Sequence, residues 1–142
     1  MVGIIICGHG TFPLGMESAV ELIAGKQEAL VLVCFEHEPE QLEADLQKAI
    51  EALSGCERII VFCDLPGGTP FKTAGIISAQ REDMDVVAGV NLPMLCETVL
   101  ARTFTDDPDA LAENAVQTGK EQVLLLDLNV FMPDETEKDE GI

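Results

Sequence analysis

The run Gly3-Ile4-Ile5-Ile6-Cys7, broken off by Gly8-His9-Gly10, restricts this chain more than any other stretch. Consecutive isoleucines put apolar groups on both faces of a strand, and a strand of that kind needs cover above and below, as in the interior of a parallel sheet. His9 then falls at the carboxyl end of the first strand. In open α/β sheets that is the edge where ligands bind, because loops and helix N-termini converge there with free N–H groups. The flanking glycines leave the imidazole uncrowded and the backbone free to approach another group. On its own the pattern also fits a histidine in a tight turn, so its meaning depends on the rest of the chain.

Met16, Ala19, Val20 and Ile23 recur at helical spacing over residues 12–24, and Gly25 stops that helix. ALVLVCF, residues 29–35, is a second buried strand, followed by the acidic turn EHEPE at 36–40, which holds the other histidine, His37. Carboxylates and a proline surround His37, as expected for a solvated loop residue. Leu42, Leu46, Ala49, Ile50 and Leu53 form one stripe of an amphipathic helix over 40–53. RIIVFCD, residues 58–64, is strand three, and it ends in an acid as strand one ended in a histidine.

LPGGTPF at 65–71 supplies a glycine loop, Thr69 as an N-cap and Pro70 at the first helical position, predicting a helix to about Gln80. DVVAGV at 85–90 is strand four. Asn91 and Pro93 open a helix through Arg102, and Asp107-Pro108 opens another that Gly119 closes. EQVLLLDLNVF, residues 121–131, is predicted as a last strand. The fold expected is α/β: an open, doubly wound, mainly parallel sheet of four strands, plus a C-terminal antiparallel edge strand that pairs locally or crosses to a second subunit. Residues 1–132 form one domain, and the charged segment 133–142 is expected to be a disordered tail.

Charge and cysteine usage narrow the partners. Against 26 acids the chain has 8 bases, a formal net charge of −18, which repels nucleic acid and anionic lipid. It has no tryptophan or tyrosine to stack on bases or sugars. The five cysteines, Cys7, Cys34, Cys56, Cys63 and Cys96, include no CxxC pair and sit mostly in apolar runs, as expected of reduced buried thiols rather than a disulfide frame or a metal site. No basic leader precedes the first apolar run, and no run approaches the roughly 20 residues of a membrane helix. A cytoplasmic protein without metal or cofactor is the expectation.

With strands one and three adjacent, His9 and Asp64 meet at one edge. A carboxylate that accepts from Nδ1–H fixes the tautomer and exposes the Nε2 lone pair, a nucleophile. The Gly67-Gly68-Thr69 loop and the helix start beside it make an anion nest; Pro70 has no N–H, so Phe71 is the next donor. Nucleophile, orienting acid and anion cradle describe phosphoryl transfer through a phosphohistidine.

GHGTF with Gly15 beyond it, DLPGGTPF and AGVNLPML (88–95) occur in that order, and the chain resembles the mannose-family IIA component of the sugar phosphotransferase system over residues 3 to about 125. The resemblance implies a parallel α/β sheet with an antiparallel final strand exchanged across a homodimer. It implies that His9 is phosphorylated at Nε2 by HPr, the general phosphocarrier protein, and discharged to a IIB component, which serves a membrane IIC/IID permease. By the same resemblance Asp64 holds the ring, and Gly10, Gly67, Gly68, Thr69 and Phe71 line the phosphoryl side. Asn91-Leu92-Pro93-Met94 matches a further family motif, although a plain helix start has the same residues. Two positions depart from the pattern: Pro66 where many relatives have an aromatic residue, and Lys72 where asparagine is common. With no IIB-like segment following, a stand-alone subunit is expected.

Other chemistries share parts of this pattern. Small tetrapyrrole chelatases also end a first strand in His-Gly, but bring a second histidine to the edge, for which His37 is poorly placed. Histidine phosphatases precede their histidine with arginine, where this chain has Gly8. A flavodoxin-like carrier would need a hydroxyl-rich first loop and aromatic residues to sandwich a flavin. A regulatory phosphohistidine protein that passes nothing on shares every site residue, so residue types alone do not separate it from a carrier.

Overall fold

Strands and helices alternate from the first residues onward, and the computed structural model describes residues 1–131. The tail expected at 133–142 lies outside the described residues. In chain order the elements are β1 (Val2–His9), α1 (Phe12–Ala24), β2 (Leu30–Phe35), α2 (Pro39–Ala52), β3 (Arg58–Cys63), α3 (Thr69–Ser78), β4 (Met84–Ala88) and α4 (Leu92–Ala101). A 3-10 turn (Pro108–Ala110), α5 (Leu111–Glu121) and the short α6 (Leu128–Phe131) follow. The four strands are all parallel, in the order β2-β1-β3-β4.

β1 has the burial its sequence demands: every residue but His9 is buried. Ile5 and Cys7 face a core shared with Leu42, Leu46 and Ile50 of α2 and Ala74 and Ile77 of α3. Val2, Ile4 and Ile6 face the other core, with Val20 of α1, Leu95 and Val99 of α4, and Ala115 of α5. The sheet is thus doubly wound, and fully burying each of these valine, leucine and isoleucine side chains stabilises the fold by about 1.5–3 kcal/mol. Because the chain steps outward from β1 to β2 and then back past β1 to β3, the order reverses between β1 and β3. That reversal opens a crevice at the carboxyl ends of those two strands.

Local signals set most helix boundaries. Gly25 ends α1 with a φ of +84° and donates its N–H to the Glu21 carbonyl. Asn91 caps α4, accepting from the Met94 N–H, with Pro93 in the first turn, so the Asn-Leu-Pro-Met segment is a helix start. Asn91 Nδ2 also donates to the Gly119 carbonyl at 2.9 Å.

Four expectations need correction. Thr69 is the first residue of α3 rather than its cap; Gly68 holds the cap position in extended conformation. Gly119 does not stop α5, which runs on to Glu121. Its missing side chain leaves room for the Met94 side chain of α4, so it serves close helix packing. Only Cys7 and Cys63 are buried; Cys34, Cys56 and Cys96 are half-buried, and all five are free. Finally, 121–131 is not a strand in the single chain: residues 123–127 are irregular and 128–131 form α6. Val123 to Leu126 lie exposed there, Leu125 at 94%. An apolar extended run forms ladder bonds only where an edge is offered, and this segment pairs with none of its own strands.

One buried cation ties the far end of the molecule together. Arg102, just past α4, donates from Nη1 to the Val2 carbonyl at 2.8 Å and to Ala29, and from Nη2 to Glu28 and Gln27. Burial pulls its guanidinium below the ordinary arginine value. Arg102→Ala should lower unfolding free energy by about 2–4 kcal/mol in urea titration, because orphaned carbonyls and lost charged hydrogen bonds add. Gly75→Ala, a mid-helix site with open space around it, should raise it by up to ~1 kcal/mol.

Candidate functional site

Pairing of β1 with β3 sets Cys7 beside Cys63, so the residues that follow, Gly8-His9 and Asp64, emerge side by side at the crevice. Asp64 Oδ2 takes two hydrogen bonds from His9, one from its backbone N–H at 2.8 Å and one with ring Nδ1 at 2.7 Å. Oδ1 accepts from the Leu65 N–H at 2.9 Å. Burial works to raise the Asp64 carboxyl, but the bonds and charge from His9 and the bond from Leu65 outweigh it and hold the group below the ordinary aspartate value. An ionised carboxylate only accepts, so Nδ1 carries the proton and Nε2 keeps its lone pair. The imidazole is 45% exposed while Asp64 is 11% exposed, so the orienting acid is covered and the ring is reachable.

Glycines make this approach possible. A Cβ on Gly8 would stand 3.1 Å from the Asp64 carboxylate and 3.0 Å from the Phe12 ring. A Cβ on Gly68 would stand 3.3 Å from His9 Cε1 and 3.9 Å from Nε2. The start of α3 is therefore pressed against the imidazole. Gly67 turns the chain into it with a φ of +80°. The N–H groups of Thr69 and Phe71, in the first turn, have no intrahelical acceptor.

Gly10 stands differently from the other expected cradle residues. Its φ of +57° needs glycine, but its N–H is committed to the Phe35 carbonyl at 2.9 Å, so it shapes the turn without offering a free donor. Phe35 was not among the expected site residues, yet its ring meets His9 edge-on at 5.6 Å between centroids. The signal was present in the register, since Phe35 ends β2 opposite His9. His37 sits exposed in the turn after β2 and joins no cluster fit to hold a metal among the described residues. Cys7, directly beneath the site, is a poor nucleophile: a hydrogen bond with Cys63 and burial push its thiol far up.

The family model described as PTS system fructose IIA component matches residues 3–116. The chain belongs to this family. It is 34% identical over 104 residues to the fructose-specific EIIA component of the phosphotransferase system from Bacillus subtilis, covering 72% of this chain and 71% of that protein. It is also 34% identical over 129 residues to the mannose-specific EIIAB component of Escherichia coli, covering 88% of this chain but 39% of that longer protein. Among solved structures, the phosphotransferase system component EIIA from Streptococcus agalactiae superposes with a TM-score of 0.80 at 36% identity, over 88% of this chain and 97% of that one. Family membership connects the chain to sugar phosphotransferase systems, and the α/β fold with an all-parallel sheet matches that of EIIA structures. No helix among the described residues is long and apolar enough to cross a membrane.

The Asp64 hydrogen bonds have a pH signature. A carboxyl held low in the folded state stabilises the fold at any pH above the ordinary aspartate pKa of about 3.9, and that contribution disappears as pH falls through the lower folded value. The stability gap between wild type and Asp64→Asn should therefore shrink as pH falls below about 4. Urea titrations between about pH 5 and about pH 2.5 check it; a gap that stays unchanged over that acidification would mean that the fold does not hold the Asp64 carboxyl low.

Proposed function

We propose that this protein carries a phosphoryl group in a sugar-uptake phosphotransferase system, accepting it from HPr on His9 and passing it to a IIB component. The observation that carries the reading is the His9–Asp64 pair, with Nδ1 committed to the acid and Nε2 turned toward the start of α3. In the forward step the Nε2 lone pair attacks phosphorus as the bond from phosphorus to the donor's histidine nitrogen breaks. The donor ring keeps that electron pair, the His9 Nδ1 proton stays in its bond to Asp64, and no water takes part. Asp64 opposes the positive charge that develops on the ring. Gly68, Thr69 and Phe71 provide backbone donors for the phosphoryl oxygens, the Thr69 hydroxyl adds one, and Gly67 allows the turn that aims them. The second transfer is the same displacement with the IIB side chain as nucleophile. Metal and cofactor have no part in it, and partners reach the site from the exposed face of the ring.

We also propose a homodimer in which residues 121–131 of each subunit pair antiparallel with β4 of the other. β4 is an edge of the sheet, and beside it runs a groove lined by Val86, Val87, Ala112 and Val116 together with Asp85, Glu113 and Gln117. Exposed Val123 to Leu126 have the length and apolarity to fill such a place.

Incubation with phosphoenolpyruvate and the two general phosphotransferase proteins should give one acid-labile phosphate per chain. His9→Ala should abolish it with the fold intact, since the ring packs little; label on His37 would overturn the assignment. Asp64→Asn should slow transfer by roughly 10²-fold or more, the scale of a lost orienting or electrostatic partner. For the dimer, the double substitution Leu124→Asp and Leu125→Asp should convert it to a folded monomer in sedimentation. A dimer unchanged by those charges would rule the exchange out.

A further inference from the structure

We propose that Lys72 is the cation that neutralises the phosphoryl group on His9, and that it thereby sets how far the phosphoryl equilibrium favours this protein over its donor; this rests on the carrier reading above. The need comes from charge. A phosphoryl group brings about −1.5 to −2, here next to an acid 2.7 Å from the ring and on a chain of net charge −18. Glu36 and Glu38, in the turn that leads from β2 into α2, and Glu40, in the first turn of α2, are all exposed and add to the negative field at the same edge.

The answer lies in where the chain puts its few bases. Helices run back from the site edge, so their ends lie at the opposite side of the sheet. Lys26, Arg81, Arg102 and Lys120 are at or just past helix ends, Arg58 opens β3, and Lys48 is in the third turn of α2. Arg58 and Arg81 are also paired with aspartates, and Arg102 is buried on carbonyls. Among the described residues Lys72 alone sits in a helix turn that begins at the site.

Its position suits the role. The Lys72 N–H bonds to the Gly68 carbonyl at 3.0 Å, so it follows by one turn the residue pressed against the imidazole. Residues four apart in a helix are about 5–6 Å apart at Cβ, and helical side chains lean toward the N-terminus, here toward His9. Lys72 is exposed and forms no ion pair among the described residues. A lysine at the positive end of a helix is unfavourable unless an anion is brought to it. The resting fold gives this cation no anion, whereas a phosphorylated His9 would.

The two effects have opposite signs, which makes the test sharp. The full-length protein is equilibrated with phosphorylated HPr, and the fraction bearing phosphate on His9 is measured for wild type, Lys72→Gln, Lys72→Glu and Lys72→Arg. Lys72→Gln should shift the equilibrium toward the donor roughly threefold to tenfold, the worth of one partly screened charge pair, and the shift should shrink in high salt. Lys72→Glu should shift it further, and Lys72→Arg should remain within about twofold of wild type. The unphosphorylated Lys72→Gln protein should melt no lower than wild type. Normal phosphorylation of wild type with an unchanged Lys72→Gln equilibrium, or no rescue by arginine, overturns the role of Lys72 and leaves the carrier reading standing. Wild type that takes no phosphate on His9 overturns the carrier reading and this inference with it.

Discussion

The hydrogen bond between His9 Nδ1 and Asp64 Oδ2 exists because β1 and β3 are neighbours although β2 lies between them in sequence. Neither residue is held by local sequence: 55 positions separate them. What joins them is the burial of two apolar strands in one register, so the hydrophobic pattern of Ile4-Ile5-Ile6 and Ile59-Ile60-Val61 positions a polar pair that it never touches. A slip of one residue in that pairing would turn every side chain of one strand to the other face. The two cores above and below the sheet penalise such a slip heavily, and so the site inherits the precision of the core.

The same pair shows how a site is held without being buried. Asp64 is covered and takes three hydrogen bonds, whereas the ring it orients is reachable. Two glycines keep the cover thin, Gly8 beneath the carboxylate and Gly68 against the imidazole. At both places a methyl group would occupy space the functional groups need. An acid with three donors stays ionised, and an ionised acid fixes the tautomer, so the exposed lone pair on Nε2 follows from packing around Asp64 rather than from anything at Nε2 itself.

Much of this was legible in the chain because it rests on periodicity and on residues with one strong conformational meaning. Apolar runs located the four parallel strands, Gly25 and Asn91 marked helix ends, and the endings of strands one and three put His9 and Asp64 together. The failures occurred where a residue type has two uses. Glycine both ends helices and lets them touch, and in α5 packing against Met94 decides Gly119, which no local pattern reports. Glycine at residue 10 likewise reads as an open backbone, yet its N–H is taken by a carbonyl from the neighbouring strand. Aliphatic residues at 123–126 read as a strand, but strand formation needs an edge, and availability of an edge is a property of the assembly, not of the segment.

Charge distribution follows from the same architecture. Each helix runs back from the site edge, so a base near a helix end sits favourably with the macrodipole and far from the site, as Lys120 does. An acid in the turn before a helix is favourable too, and it lies at the site. Placing charges well for helix stability therefore surrounds this edge with negative field, the opposite of what the proposed phosphoryl group would need. Backbone donors at the start of α3 offset part of that conflict, since a helix N-terminus is positive whatever its side chains. A lysine in that first turn works against local helix stability; in the proposed carrier role it would gain a favourable partner only when the anion arrives, and its contribution would be confined to the loaded state. In a carrier that must both receive and release its cargo, a contact present only with cargo bound tunes the equilibrium while leaving the resting fold almost untouched.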